Sequence, residues 1–222
     1  MKKLFFTLIL LAGSYIFAQS VQGVSSSQGP QVRLHGYALY AFDDNHVDSY
    51  YSATSYFEGS IQGGFQYGAG LEVMPYPAIG VEITYLRLDS KAPMEYYDVF
   101  IRHTTFDVSQ NWVLLSFNKY VPLNEKVEPF GGLQVGMDII NLYNPDNGNT
   151  SNATKFAWGL KGGVNIWVNE KVGFKMQLGL LSAVQAVGGG FYFGTGGAGA
   201  GVSGFSTYYQ FNLGGGLVFR VK

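Results

Sequence analysis

The stretch FEGSIQGGFQYGAGLEV (Phe57–Val73) alternates strictly between two kinds of side chain. Its odd positions are apolar, aromatic or glycine, and its even positions are polar, acidic or glycine. Successive side chains of a β-strand point to opposite faces, whereas an α-helix would spread both kinds around its axis. The stretch therefore predicts a β-strand with one apolar face and one polar face.

The same alternation recurs along the chain, most cleanly from Phe156 to Val168. It weakens in residues 104–120, near Ser116, where the pattern is compatible with a β-bulge. Together these segments predict an even number of strands. They cover residues 32–42, 57–73, 79–88, 104–120, 129–140, 156–168, 172–181 and 207–221.

The connectors between these segments alternate in length, which places short turns at one end and long loops at the other. This asymmetry is typical of bacterial outer-membrane barrels, whose tilted strands need only about 9–11 residues to cross the bilayer. The sequence therefore predicts an all-β fold, an eight-stranded antiparallel up-and-down transmembrane β-barrel. The predicted turns are Met74–Pro77, Val121–Lys126 and Asn169–Lys171, and the predicted loops are residues 43–56, 89–103, 141–154 and 182–206.

Aromatic residues near the segment ends favour a barrel with its apolar face toward lipid over a soluble barrel with an apolar interior. Rings at both interfaces form the girdles of a membrane barrel. In residues 104–120 the apolar face is assigned to Phe106, Val108, Trp112 and Leu114. The predicted girdle residues are Tyr40, Phe42, Phe57, Tyr85, Phe106, Tyr143, Phe156, Trp158, Tyr209 and Phe211 at the loop side, and Tyr120, Phe174 and Phe219 at the turn side.

The polar face predicts a closed lumen crossed by ion pairs. Eight strands enclose an interior just wide enough for side chains. A charge buried there without a partner would cost about 3–5 kcal/mol, so opposite charges should pair. The predicted structural charge network consists of Arg33, Glu58, Glu72, Glu82, Asp138, Lys155, Lys161, Lys175 and Arg220.

The first residues have the pattern of a signal peptide. Lys2 and Lys3 precede an apolar stretch, and small residues lead to a cleavage site after Ala18. We expect a signal peptide over residues 1–18, a flexible lead-in over 19–30 and the barrel domain over 31–222.

Composition narrows the function. The 222 residues include 31 Gly and no Cys, 13% are charged, and the net charge is −1. The absence of cysteine excludes disulfides, thiolate metal sites and cysteine nucleophiles. A near-neutral chain without a basic block is not suited to nucleic acid.

Three stretches carry a resemblance to a known group of proteins. The leader end Phe17-Ala18-Gln19, KVEPFGGLQVG (Lys126–Gly136) and FNLGGGLVF (Phe211–Phe219) resemble small outer-membrane β-barrel proteins of the Bacteroidota. That group is similar in architecture to the OmpA transmembrane domain and OmpW. The resemblance implies the fold and the outer-membrane location, and it implies no activity. Such barrels usually end in an aromatic residue read by the insertion machinery, whereas this sequence ends Phe219-Arg220-Val221-Lys222.

No recognisable catalytic set emerges from the sequence. Gly194-x-Gly196-x-x-Gly199 matches a dinucleotide fingerprint in letters, but no helix is predicted to follow it. His103 lies near Thr104 and Asp107 at a predicted rim without forming a nucleophile, base and partner set. The acidic stretch Asp43–Asp48, which includes His46, lacks the glycine and terminal glutamate of an EF-hand and is interpreted as a solvated loop. We therefore expect neither enzymatic activity nor a cofactor or metal.

The expected function is that of a non-enzymatic outer-membrane protein with a structural or surface-interaction role. Its expected partners are outer-membrane lipids and lipopolysaccharide, the barrel-insertion machinery and other envelope proteins, with no nucleic acid. The alternative is a narrow pore or transporter for small solutes, apolar ones included. That alternative depends on the glycine-rich residues 182–206 and on apolar residues at lumen positions, namely Tyr37, Leu39, Leu86 and Leu88. An outer-membrane barrel enzyme is the third alternative.

Overall fold

The structure, a computed structural model, is built from β-strands. None of the residues it describes forms a helix that is long and apolar enough to span a membrane. The described residues are 30–43, 50–52, 55–97, 101–184, 190–194, 197–201 and 208–221. The strands are β1 Gln31–Ala41, β2 Tyr50–Ser52, β3 Ser55–Gly59, β4 Gly64–Tyr76, β5 Ile79–Tyr97, β6 Ile101–Tyr120, β7 Val127–Tyr143, β8 Thr150–Trp167, β9 Val172–Val184, β10 Gly190–Gly194, β11 Gly197–Gly201 and β12 Tyr208–Arg220.

Eight of these strands close into an antiparallel ring in the order β1-β4-β5-β6-β7-β8-β9-β12. The ring closes because β1 pairs with β4 on one side and with β12 on the other. This confirms the predicted fold class. The other four strands are short and lie outside this ring. β3 pairs with the loop-side end of β5, β2 pairs with β3, and β10 pairs with β11. The predicted signal peptide and most of the lead-in lie outside the described residues.

Two strand pairs extend much further toward the loop side than the sequence predicts. β5 continues to Tyr97 and β6 begins at Ile101, so most of the predicted loop 89–103 is strand. In the same way β7 and β8 leave only residues 144–149 of the predicted loop 141–154 as a connector. The prediction was wrong because polar residues on both faces were interpreted as loop, although polarity does not prevent strand pairing outside a bilayer.

The stretch Phe57–Val73 is two strands rather than one. Gln66 lies seven positions after Gly59, whereas their β5 partners, Leu88 and Met94, are only six positions apart. One extra residue in a strand is a β-bulge, and it reverses the alternation beyond it. Gly63 allows the chain to pass close to the end of β1 there, because a Cβ on this residue would lie 2.2 Å from the Ala41 carbonyl oxygen.

The register of β6 is continuous through Ser116, so the bulge considered there is absent. The alternation weakens because both faces of this strand are apolar. Phe106, Val108, Trp112 and Leu114 are buried inside the barrel, whereas Val113, Leu115 and Phe117 face outward. The assignment of the first four residues to the lipid face was wrong.

The outward faces form an apolar band around the ring. Most of the predicted girdle rings lie on it, but Phe106 and Tyr120 are both buried in the lumen, and the side chain of Phe57 is not among those that the structure describes. Tyr120 points inward because its hydroxyl group hydrogen-bonds Glu72. Exposed residues of the band include Leu34, Phe65, Leu71, Ile83, Leu133, Leu160, Phe174, Leu178, Phe211 and Leu213.

Candidate functional site: the barrel lumen

The inward faces divide the lumen into two halves of different chemistry. We call the turn-side part the charged half and the loop-side part the apolar half. The charged half contains Arg33, His35, Tyr37, Glu72, Glu82, Asn118, Tyr120, Glu128, Lys161, Asn165 and Lys175. The apolar half contains Leu39, Leu86, Ala92, Phe106, Val108, Trp112, Leu114, Ile140, Leu142 and Leu181, together with the buried polar side chains of Gln66, Gln110, Asp138, Lys155 and Gln210.

Glu82 on β5 is at the centre of the charged half. Lys161 Nζ lies 2.7 Å from Glu82 Oε2, and both side chains are almost completely buried. Asn118 Nδ2 donates to the same oxygen at 3.0 Å, and the Tyr37 hydroxyl donates to Oε1. These donors come from β1, β6 and β8, so the carboxylate ties together strands on different sides of the barrel.

Glu72 on β4 accepts hydrogen bonds from a second set of donors. Its carboxylate oxygens lie 2.8 Å from the Tyr120 hydroxyl, 2.7 Å from Asn118 Nδ2 and 3.0 Å from His35 Nε2. Since Asn118 also donates to Glu82, its amide links the two carboxylates. Charge-assisted hydrogen bonds of this kind are stronger than those between neutral groups.

A third carboxylate, Glu128, belongs to the network although it is absent from the predicted set. Arg33 donates to both Glu128 oxygens, at 2.8 and 3.0 Å, and Asn165 Nδ2 donates to Oε2 at 3.0 Å. The predicted segment began at residue 129, one position too late. Extending the alternation of Phe130 and Gly132 back by one step would have placed Glu128 on the inward face.

Lys175 is held mainly by aromatic groups. Its ammonium nitrogen lies 4.4 Å from the centre of the Phe130 ring and 3.4 Å from the Tyr37 hydroxyl. A cation over the face of an aromatic ring is attracted by the ring quadrupole. Because Tyr37 also donates to Glu82, it connects Lys175 to the central carboxylate.

Two glycines provide the room that these carboxylates occupy. A Cβ on Gly70 would lie 2.1 Å from Glu82 Oε1, and a Cβ on Gly80 would lie 2.0 Å from Glu72 Oε1. The inward-facing glycines of β4 and β5 are therefore a requirement of the network.

The remaining predicted network residues lie elsewhere. Asp138 and Lys155 are buried register partners of β7 and β8 toward the loop side. Arg220 stacks over the Trp167 ring at 3.6 Å at the turn-side mouth, and its Nη1 donates to the Glu170 carbonyl oxygen. Glu58 is in backbone register with Glu95 on β5, and its side chain lies outside the described residues.

His35, Glu72 and Glu82 could each offer one ligand atom to a metal ion, since these atoms lie within 4.8 Å of one another. Each of them is already hydrogen-bonded, and Lys161 and Arg33 supply positive charge to the same half of the lumen. Lys161 and Arg33 already supply the positive charge that a divalent ion would provide to these carboxylates. The arrangement favours a structural network over a metal centre.

The other sequence features have local roles where the structure describes them. The Asp43 carboxylate accepts a hydrogen bond from the Gly63 amide at 2.7 Å, which fixes the entry to β4. Gly194 and Gly199 belong to the β10–β11 pair. His103 lies on an outward position of β6, away from His35. Residues 44–49, with His46, lie outside the described residues.

Comparison with known proteins identifies the fold. No protein-family model and no curated protein sequence matches the chain. Among solved structures, OprG, an outer-membrane protein of Pseudomonas aeruginosa, is 13% identical with a TM-score of 0.57, over 89% of this chain and 99% of that one. Neisserial surface protein A is 14% identical with a TM-score of 0.52, over 87% and 97% of the two chains. The outer-membrane protease OmpT of Escherichia coli is 8% identical with a TM-score of 0.51, over 90% and 100%. The chain has the β-barrel fold of these bacterial outer-membrane proteins.

Proposed function

We propose that this chain is a non-enzymatic integral protein of a bacterial outer membrane, with its loop side facing outward and a structural or surface-interaction role. The observation that carries the proposal is the reversal of polarity across the barrel wall. Lys161 and Glu82 are sealed inside, while Ile83, Leu133 and Phe174, each at least 56% exposed, face outward. A soluble barrel would leave these side chains in water, whereas lipid accommodates them.

The arrangement of the histidine nearest to the buried carboxylates supports the non-enzymatic proposal. His35 is enclosed, its Nε2 atom is engaged by Glu72 and its Nδ1 atom has no hydrogen-bond partner among the described residues, so none of their hydroxyl groups is hydrogen-bonded to this imidazole as a nucleophile would be. The fold likeness to a protease concerns the barrel alone.

Membrane insertion is tested by refolding the full chain into lipid vesicles and by fractionating cells that express it. We expect the folded barrel to migrate faster than the boiled chain on mild SDS gels and to be recovered with outer membranes. A soluble monomer in the periplasm would contradict the proposal.

We further propose that the charged half closes the lumen to ions. The three carboxylates Glu72, Glu82 and Glu128 face Arg33, Lys161 and Lys175 in a space crossed by their hydrogen bonds. Planar-bilayer recording of the refolded chain should show no steady conductance. Reproducible conductance steps would overturn closure, and their ion selectivity should then change in Glu82→Gln.

A second candidate function is the passage of small apolar solutes, and the apolar half favours it. Leu39, Leu86 and Leu88 face the lumen and are at most 2% exposed. Uptake of a radiolabelled apolar solute into vesicles containing the barrel tests this candidate. Uptake equal to that of protein-free vesicles would exclude it for that solute.

A further inference from the structure

The outer flank of the barrel changes from apolar to polar within four residues on four adjacent strands. Register pairing places Tyr85, Val113, Met137 and Phe156 in one row across β5–β8, and all four are outward-facing and exposed. Four residues further toward the loop side, the corresponding row consists of Asp89, Ser109, Asn141 and Asn152. The upper edge of the membrane-facing band therefore lies between these two rows.

An open cleft of about 620 Å³ lies at the polar rows. This volume is in the range of small-ligand sites. Besides the row of Asp89, its outward-facing lining includes Arg87, Lys91, Asp107, Tyr143 and Thr150. We call it the outer cleft.

The charges of the outer cleft balance, which argues against an anionic ligand. Arg87 Nη2 lies 2.7 Å from Asp89 Oδ1, and its Nε lies 2.9 Å from the other oxygen of that carboxylate. Lys91 is the register partner of Asp107. The two cations of the cleft thus each have a carboxylate alongside, so a phosphate group would meet as much negative charge as positive charge.

The remaining groups have the chemistry that recognises sugar hydroxyls. A hydroxyl both donates and accepts, and the side-chain amides of asparagine offer complementary donors and acceptors in fixed geometry. Asn141 and Asn152 are adjacent in register and exposed, and Tyr143, 43% exposed, adds an aromatic face for the apolar side of a sugar ring.

We propose that the outer cleft binds the neutral saccharide head group of a glycolipid in the surrounding outer leaflet. The proposal rests on the proposed function, since it uses the membrane position of the barrel. The cleft opens sideways, directly beyond the apolar band, where the head groups of neighbouring lipids lie. Because its ligand is neutral, binding should be nearly independent of salt concentration.

The test compares vesicles of phosphatidylethanolamine with the same vesicles containing a synthetic glycolipid that carries a neutral trisaccharide. The full chain is refolded into both, and native mass spectrometry measures the glycolipid retained per barrel. We expect retention by the parent chain and about tenfold weaker binding in the double variant Tyr143→Leu/Asn141→Ala. The matched control is Tyr76→Leu, which removes an exposed ring from the opposite end of the barrel and should retain the glycolipid normally.

Each alternative outcome has a distinct meaning. Insertion into both vesicles without glycolipid retention would overturn this inference and leave the proposed function standing, whereas failure to insert would overturn both. Equal retention by the parent and the double variant would place the site elsewhere and overturn the inference. So would binding that falls steeply with salt, which indicates recognition of charge, or equally tight binding of the soluble trisaccharide, which indicates a free glycan as the ligand.

Discussion

The two halves of the lumen are both filled by buried side chains, but by side chains of different kinds. In the charged half, Glu82, Glu72 and Glu128 collect donors from strands on different sides of the barrel. In the apolar half, Trp112, Leu114 and Leu86 fill most of the space with apolar side chains, beside the buried register partners Asp138 and Lys155. The comparison teaches that the first half depends on complete pairing, whereas the second depends on volume.

The largest effect is expected from removing one partner of the central ion pair. Lys161→Met leaves Glu82 buried without its 2.7 Å contact, which should lower the free energy of unfolding by about 4 kcal/mol. Urea unfolding of the refolded barrel in vesicles measures this. Lys126→Met, in an exposed turn, is the control and should change little. Unchanged stability in Lys161→Met would show that the charged half does not depend on pairing.

A cavity in the apolar half should have the next largest effect. Leu86→Ala removes a side chain that is 2% exposed, and the loss of packing should cost about 3 kcal/mol. The control is Leu133→Ala on the outer face, where 60% of the residue is exposed and lipid chains can fill the space. The same urea titration should separate the two variants. Equal losses in both would mean that Leu86 packs no more closely than a lipid-facing residue.

Crowding the carboxylates should have a smaller effect. In Gly80→Ala the new methyl group would meet Glu72, which three donors hold in place, and we expect a cost of about 2 kcal/mol. Gly36→Ala is matched to it, because a Cβ there meets nothing within 4 Å. Thermal unfolding monitored by the gel-mobility shift compares them. A harmless Gly80→Ala would show that Glu72 can move aside.

The smallest effect is expected at the exposed ion pair of the outer flank. Asp89→Asn removes the partner of Arg87, but both side chains are more than one third exposed, so the change should stay below about 1 kcal/mol. Added salt should reduce even this difference, while leaving the Lys161→Met effect intact. A large, salt-independent loss in Asp89→Asn would remove the distinction between surface and lumen pairs.

The alternation of side chains was sufficient to predict the fold, because a period of two is a direct consequence of strand geometry. It was not sufficient for β6, where Trp112 and Val113 are both apolar and point to opposite faces. Only pairing with β5 and β7 decides which face is inside. The alternation also could not predict which residues of the charged half pair with each other. Arg33 and Glu128 are 95 residues apart in the sequence, and only closure of the ring brings them together.

The seam between β1 and β12 constrains how the molecule can form. Arg33 on β1 is the backbone register partner of Arg220 on β12. Each of these two strands therefore lacks one neighbour until the other strand is present. At this seam a Cβ on Gly216 would lie 1.7 Å from the Gly36 carbonyl oxygen, so this position of the final strand has room for glycine alone. Contacts between distant residues form slowly, and an open edge invites pairing with other chains. A barrel closed in this way cannot be completed until β12 is present, and until then the free edge of β1 can pair with other chains.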